Sequence, residues 1–138
     1  MNINNDQRTL RIAGYAALFD VIDAARDIIV RGAFSRTLSQ RIEGIPLYWQ
    51  HRAYQRIGMV DSAEEDDRGL RIIASIDDLY GKAANALRSQ TVNGLSFGFK
   101  PRIFRLLPAG RLLEDIDLFE VSLVTYPVQS EARVHLIQ

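Results

Sequence analysis

At 138 residues the chain is one domain by length, spanning 1–138, and long enough to bury roughly two-thirds of its unfolded surface without disulfides or metal. Hydrophobic residues make up 47% and charged residues 25%, and 17 basic side chains balance 17 acidic ones, so no global charge points to a nucleic-acid partner. The absence of cysteine excludes a thiol nucleophile, a cysteine-based zinc site and a disulfide framework.

The first eight residues lack the apolar core of a signal peptide, and no apolar run reaches the roughly 18 residues of a membrane span, so a soluble, intracellular protein without a membrane partner is expected. Period-two alternation then predicts strands over 10–18, 45–50, 57–62, 70–76, 95–104, 112–116 and 118–124. Two stretches carry helical spacing instead. Phe34, Leu38 and Ile42 recur every fourth residue with Gly44 as a stop, and Leu79, Ala83, Ala86, Leu87 and Gln90 trace a face behind Asp77 or Asp78 as a cap, closed by Asn93-Gly94. The acidic run Glu64-Glu65-Asp66-Asp67 before Arg68-Gly69 reads as a solvated hairpin turn, and Leu107-Pro108-Ala109-Gly110-Arg111 as a second turn. Apart from Lys82 and Lys100 every basic residue is arginine, scattered as surface solvation would scatter it. The fold class that follows is α+β, mainly β: a closed or nearly closed barrel of about seven strands with two flanking helices.

The chemistry concentrates in three places. Gly94-Leu95-Ser96-Phe97-Gly98-Phe99 sets a lone hydroxyl between aromatics and between glycines that let neighbouring backbone come close to it, and strand alternation puts Ser96, Gly98 and Lys100 on one face with Leu95, Phe97 and Phe99 on the other. The aromatics then anchor the strand in the core while the hydroxyl faces outward or into a groove. A serine is a poor nucleophile without a base in hydrogen-bond reach, and His51, one of two histidines, follows the apolar segment Ile45-Pro46-Leu47-Tyr48-Trp49-Gln50. Glu120 sits inside Leu118-Phe119-Glu120-Val121-Ser122-Leu123-Val124, where a carboxylate is costly unless paired. Plain structural roles compete: a small residue relieving crowding in a bent strand, a packed histidine, a glutamate paired with arginine. Asp115, Asp117 and His135 are the rival third members.

Read together, these segments resemble the prohead (capsid maturation) protease family of tailed bacteriophages. Gly14-Tyr15-Ala16-Ala17-Leu18-Phe19 with Ile28-Ile29-Val30-Arg31-Gly32-Ala33-Phe34 resembles its opening strand, loop and helix start. Pro46-Leu47-Tyr48-Trp49-Gln50-His51 with Ile57-Gly58 resembles its histidine block, Gly69-Leu70-Arg71-Ile72 its strand after the acidic turn, and Leu95-Ser96-Phe97-Gly98-Phe99 its nucleophile block. Leu118 to Val124 with Thr125-Tyr126-Pro127 resembles its closing block, whereas Val128-Gln129-Ser130-Glu131-Ala132 departs from the small-residue and asparagine pair common in relatives.

The resemblance implies a serine endopeptidase related in fold to herpesvirus assemblin. It implies His51 as base and Ser96 as nucleophile, with Glu120 as the natural third member; for acyl transfer at Ser96 the backbone amides of Phe97 and Gly98 are then the expected oxyanion hole. It further implies no cofactor or metal, the major capsid protein, its scaffold and the protease itself as substrates, a homodimer or higher homo-oligomer, and the assembling prohead in the host cytoplasm as the place of action. Two rivals use the same residues. One is a non-catalytic capsid assembly or scaffolding module of the same fold. The other is an esterase, whose Gly-x-Ser-x-Gly letters match Gly94 to Gly98 but whose strand-to-helix turn is not expected here.

Overall fold

The computed structural model describes residues 9–41 and 44–138. In chain order the elements are β1 (Leu10–Leu18), β2 (Asp27–Ile29), α1 (Ser35–Gln40), β3 (Ile45–Trp49), β4 (Arg52–Glu65), β5 (Gly69–Ile76), α2 (Lys82–Arg88), β6 (Gly94–Leu107), β7 (Gly110–Val124) and β8 (Val134–Ile137). All eight strands join one sheet, ordered β2-β7-β3-β4-β5-β1-β8, with β6 pairing β7 along its other edge. The sheet curls until its ends meet. Residues 132–134 bridge them: the Tyr15 N–H donates to the Arg133 carbonyl at 3.3 Å, and the Leu95 N–H to the Ala132 carbonyl at 2.8 Å. Gly14 sits at this seam because a Cβ there would lie 2.3 Å from the Arg133 carbonyl oxygen. The expected nearly closed barrel is therefore what forms.

Curling needs long strands that bend, and the bends are bulges. Register slips by one residue in β1 between Tyr15 and Ala17, in β4 between Val60 and Ser62, and in β7 opposite Gly98 and Phe99. The third matters most. Gly98 faces Glu120 but Phe99 faces Leu118, so Phe119 is the extra residue and is pushed outward, 52% exposed. Strict alternation would have put Phe119 inside with Val121 and Leu123; the bulge instead lets Leu118, Val121 and Leu123 all reach the core.

Alternation elsewhere fills the interior. Ile12, Leu47, Leu70, Ile72, Leu95, Leu113 and Ile116 are fully buried, and Ala33-Phe34 at the head of α1 closes one end. Phe34 packs against Phe19 and, edge to face, against Phe97, which in turn touches Phe99. This aromatic cluster holds the core face of β6 directly beneath Ser96.

Several boundaries differ from the sequence expectations. Residues 112–116 and 118–124 form one strand, because Asp117 is satisfied by arginine at the rim and never interrupts the ladder. β2 and β8 were not expected, since three and four residues carry too little periodicity to read. Helix α1 is short, and Ile42 of its expected spacing lies outside the described residues. Helix α2 begins after Gly81, with no side-chain cap; Asp78 instead accepts the Tyr80 N–H one turn earlier. The acidic turn is more than a solvated loop. The two carboxylate oxygens of Glu65 accept the N–H groups of Gly32 and Phe34 and so pin the lead into α1, while Asp66 accepts from Arg68 N–H, Gly69 N–H and the Tyr15 hydroxyl. Among the described residues no helix is long and apolar enough to cross a membrane.

Two side-chain pairs hold the periphery. Asp27 on β2 is nearly buried and takes a two-point contact from Arg111 on β7, at 2.7 and 3.0 Å. Deleting Arg111 would strand that carboxylate, so Arg111→Ala is expected to cost about 2–3 kcal/mol in urea denaturation, below the full buried-pair figure because Arg111 is itself partly exposed. The Tyr15 hydroxyl holds the Asp66 carboxyl below the usual carboxylate range. A depressed folded-state value adds stability above the unfolded value and loses it as pH falls through the folded one. The stability gap between wild type and Tyr15→Phe is therefore expected to stay flat across mildly acidic to neutral pH. It should close only below the ordinary aspartate range.

Candidate active site

Three neighbouring strands bring the candidate residues together. β7 lies between β3 and β6, with Tyr48 and Trp49 of β3 paired to Ser122 and Leu123, and Ser96 of β6 paired to Ser122 from the other side. Directly opposed residues share a face of the sheet, so Ser96, Ser122 and Glu120 all project from the same surface. That surface faces away from the aromatic cluster. Ser96 as a residue is 6% exposed, and its hydroxyl makes no hydrogen bond among the described residues.

His51 reaches this surface through an unusual connection. β3 and β4 pair up to Trp49 and Arg52, leaving a two-residue hairpin loop of Gln50 and His51. Both have positive φ, 53° and 61°, the geometry of a type I′ turn, in which asparagine and glycine are the usual residues. Holding two ordinary side chains there costs about 1 kcal/mol or more each, so the surroundings must fix the turn. They do so on β7. The Gln50 N–H donates to the Leu123 carbonyl, the Gln50 side-chain amide exchanges hydrogen bonds with Thr125 at 2.7 and 3.2 Å, and the His51 N–H donates to the Ser122 hydroxyl at 3.1 Å.

The turn aims the imidazole at Glu120. Nδ1 of His51 lies 2.7 Å from Oε2 of Glu120, and the Ser122 hydroxyl donates to Oε1 at 2.7 Å. A carboxylate only accepts, so the Nδ1 that faces it carries a proton, and in the neutral imidazole the lone pair is then on Nε2. The carboxylate is largely withdrawn from water, its side chain 11% exposed, whereas the His51 side chain is 41% exposed. Burial strengthens the ion-pairing power of Glu120, and the two hydrogen bonds offset its desolvation.

Gly98 completes the arrangement. A Cβ built on it would lie 2.3 Å from Glu120 Oε2 and 2.9 Å from the carboxyl carbon, so the acid occupies the space a side chain would take. The sequence suggested that glycines flanking Ser96 admit neighbouring backbone. At Gly98 it is a carboxylate that is admitted, and at Gly94 the Val124 carbonyl and the Pro127 ring.

The rival third members lie elsewhere. Asp115 and Asp117 both bind Arg36, at 2.9 and 2.6 Å, in the middle of β7. His135 stands on β8, its ring 6.0 Å from that of Tyr15. Of the acids considered, Glu120 is the one whose carboxylate reaches His51. No hydrogen bond joins Ser96 to His51 among the described residues. The amides named for the oxyanion differ in direction. Leu95 N–H points away from β7, to Ala132, so alternation carries the Phe97 N–H to that same open edge and leaves the Gly98 N–H on the β7 side. Gln50, Thr125 and above all Ser122 were missed. The one available signal was that Ser122 lies two residues from Glu120 on the same strand face.

A model of the family described as Caudovirus prohead serine protease matches residues 1–138. The chain is 30% identical, over 128 residues, to the prohead protease of Enterobacteria phage HK97, covering 88% of this chain and 57% of that protein, so it spans little more than half the relative's length. Among solved structures it resembles varicella-zoster virus protease, with a TM-score of 0.64 at 18% identity over 94% of this chain and 64% of that one. It also resembles the capsid assembly protease of bacteriophage T4, with a TM-score of 0.66 at 12% identity over 83% and 80% of the two chains. At these identities the two structural likenesses establish a herpesvirus-protease-like fold.

Replacing Gly98 tests the geometry directly. The clash falls on the far end of a flexible side chain, so Gly98→Ala is expected to cost the fold only about 1–2 kcal/mol. It should nonetheless displace the carboxylate from His51. The downfield imidazole N–H proton resonance expected of a His51–Glu120 hydrogen bond should be visible by NMR in wild type and lost in the variant.

Proposed function

The chain belongs to the Caudovirus prohead serine protease family, and from the geometry of its site we propose that it is a serine endopeptidase in which His51 activates Ser96 and Glu120 orients His51. The observation that carries this reading is the 2.7 Å contact between His51 Nδ1 and a withdrawn Glu120 carboxylate that projects from the same sheet face as Ser96; in the neutral imidazole this contact leaves Nε2 as the ring's acceptor. Nothing in the barrel's packing requires a carboxylate to be buried there. A buried acid bonded to a half-exposed imidazole is the arrangement that acyl transfer uses.

The steps follow from the atoms. With a peptide bound, the Ser96 oxygen attacks the scissile carbonyl carbon while its proton passes to His51 Nε2. The imidazolium formed is stabilised across Nδ1 by Glu120, which stays ionised. Nε2 then returns the proton to the departing amine, and the acyl-serine is hydrolysed when His51 deprotonates an incoming water in the same way. Of the two backbone donors expected for the oxyanion, Phe97 N–H is the better supported, because it points to the unpaired edge of β6. The missing hydrogen bond between Ser96 and His51 is consistent with a site that tightens around its substrate.

Substrates follow from family membership rather than from the site. We infer segments of the major capsid protein and its scaffold, and the protease itself, cleaved inside the assembling prohead, with self-association of the chain as part of its working state. The same geometry bears on the rival reading. A non-catalytic assembly module would have no use for a carboxylate held against an imidazole at the cost of two left-handed backbone residues.

Ser96→Ala is the test. Co-expressed with its capsid proteins, wild type should process them and Ser96→Ala should not, with cleavage falling by about four orders of magnitude or more and the melting temperature unchanged. A fluorophosphonate should label wild type at Ser96 and label His51→Gln far more slowly. Undiminished proteolysis by Ser96→Ala would remove Ser96 as the nucleophile, and a site inert to every such probe would favour the assembly module.

A further inference from the structure

Ser122 is fully buried, carries no role in the chemistry above, and spends its hydroxyl entirely on the two groups that flank it. Its oxygen accepts the His51 N–H at 3.1 Å, and its proton goes to Glu120 Oε1 at 2.7 Å. Serine has one donor and a limited acceptor capacity, and here one of each is committed to a different member of the site. We propose that Ser122 is a positioning residue that sets the base and the acid of the Ser96 site in register with one another, through the His51 main chain on one side and the free oxygen of Glu120 on the other.

Three features make one hydroxyl sufficient. The His51 N–H belongs to the second corner of a type I′ turn, where a left-handed histidine is held against its own preference and an unpaired amide would let the turn relax. Glu120 has two oxygens, and with Oε2 on His51 and Oε1 on Ser122 its carboxylate plane is fixed at two points rather than free to rotate about one. Finally, Ser122 stands opposite Ser96 on β6 and Tyr48 on β3, so the strand that carries the positioning hydroxyl is the one that lies between the nucleophile and the base. The Gln50–Thr125 amide pair holds the other corner of the same turn, and among the described residues the His51 main-chain N–H bonds to Ser122 only.

This inference rests on the serine-protease reading for its kinetic consequence, though not for its structural one, and the experiment separates the two. Ser122→Thr and Ser122→Val add the same extra bulk at a buried position, but only threonine keeps the hydroxyl; Ser122→Ala removes the hydroxyl without adding bulk. Two readouts are taken on each: the rate of Ser96 labelling by a fluorophosphonate, and hydrogen exchange of the His51 backbone amide by NMR. Loss of positioning should slow labelling by about 10-fold to 100-fold in Ser122→Ala and Ser122→Val, with Ser122→Thr retaining most of the rate. The His51 amide should exchange at least about tenfold faster in the same two variants while the melting temperature of Ser122→Ala stays within a few degrees of wild type.

Labelling of Ser122→Ala at the wild-type rate, or equal losses in threonine and valine variants that both fold, would overturn the proposal. If threonine and valine do not fold, the alanine variant decides by itself, because protected His51 exchange in it would overturn the claim. A wild type that takes no label at Ser96 would instead sink the catalytic reading, and the exchange measurement would still decide whether Ser122 holds His51.

Discussion

A carboxylate buried in the middle of a strand is the constraint around which the rest of this site is built. Taking Glu120 out of water costs several kcal/mol before compensation, and the compensation comes from two hydrogen bonds of the charge-assisted kind, one from an imidazole N–H and one from a serine hydroxyl. Each of those donors has to be delivered. His51 arrives on a hairpin of two left-handed residues, Ser122 by being two residues along the same strand face, and the carboxylate itself fits only because position 98 has no side chain. Remove any one, and the acid is either clashing or unsatisfied. The nucleophile candidate sits beside this assembly, without being needed to hold it together.

The barrel matters to the site through β7. This strand runs for 15 residues and spends its two ends on different tasks. Its first part binds β2 and takes the arginine pairs of Asp115, Asp117 and Asp27, and its last part lies between β3 and β6 and carries Glu120 and Ser122. The bulge at Phe119 separates the two regimes. It lets the core side of the strand stay apolar on both flanks while the carboxylate is turned to the functional face. Beneath, the aromatic cluster of Phe19, Phe34, Phe97 and Phe99 keeps β6 from moving away, so that the Ser96 and Glu120 faces stay coplanar.

Much of this was legible beforehand, and the reason differs from residue to residue. Ser96 stood out because a lone hydroxyl between glycines and aromatics breaks a strand pattern, and His51 because histidines are so few. Glu120 was legible as a charge in an apolar strand, which must find a partner wherever the strand ends up. Its choice over Asp115 and Asp117 rested on the family resemblance and not on the residue pattern, because all three lie on one strand; in the structure the contact with His51 and the pairing of Arg36 with the other two separate them. Gly98 was noticed for the wrong neighbour: the absence of a side chain announces close approach without saying what approaches. Gln50 was read as the end of a strand, since a two-residue turn without asparagine or glycine carries no local mark.

Composition and periodicity by themselves determined a strand-dominated chain with a hydroxyl, an imidazole and a carboxylate at three separated points, because alternation and burial preference act over a few residues and are written in their order. Which carboxylate meets the imidazole, which ring nitrogen is left free, and which amide of β6 is unspent were decided only by the tertiary structure. Those outcomes depend on strand register and on a one-residue bulge at Phe119, and register is set by pairing between segments some 70 residues apart, such as His51 and Glu120, rather than by any neighbour in the chain.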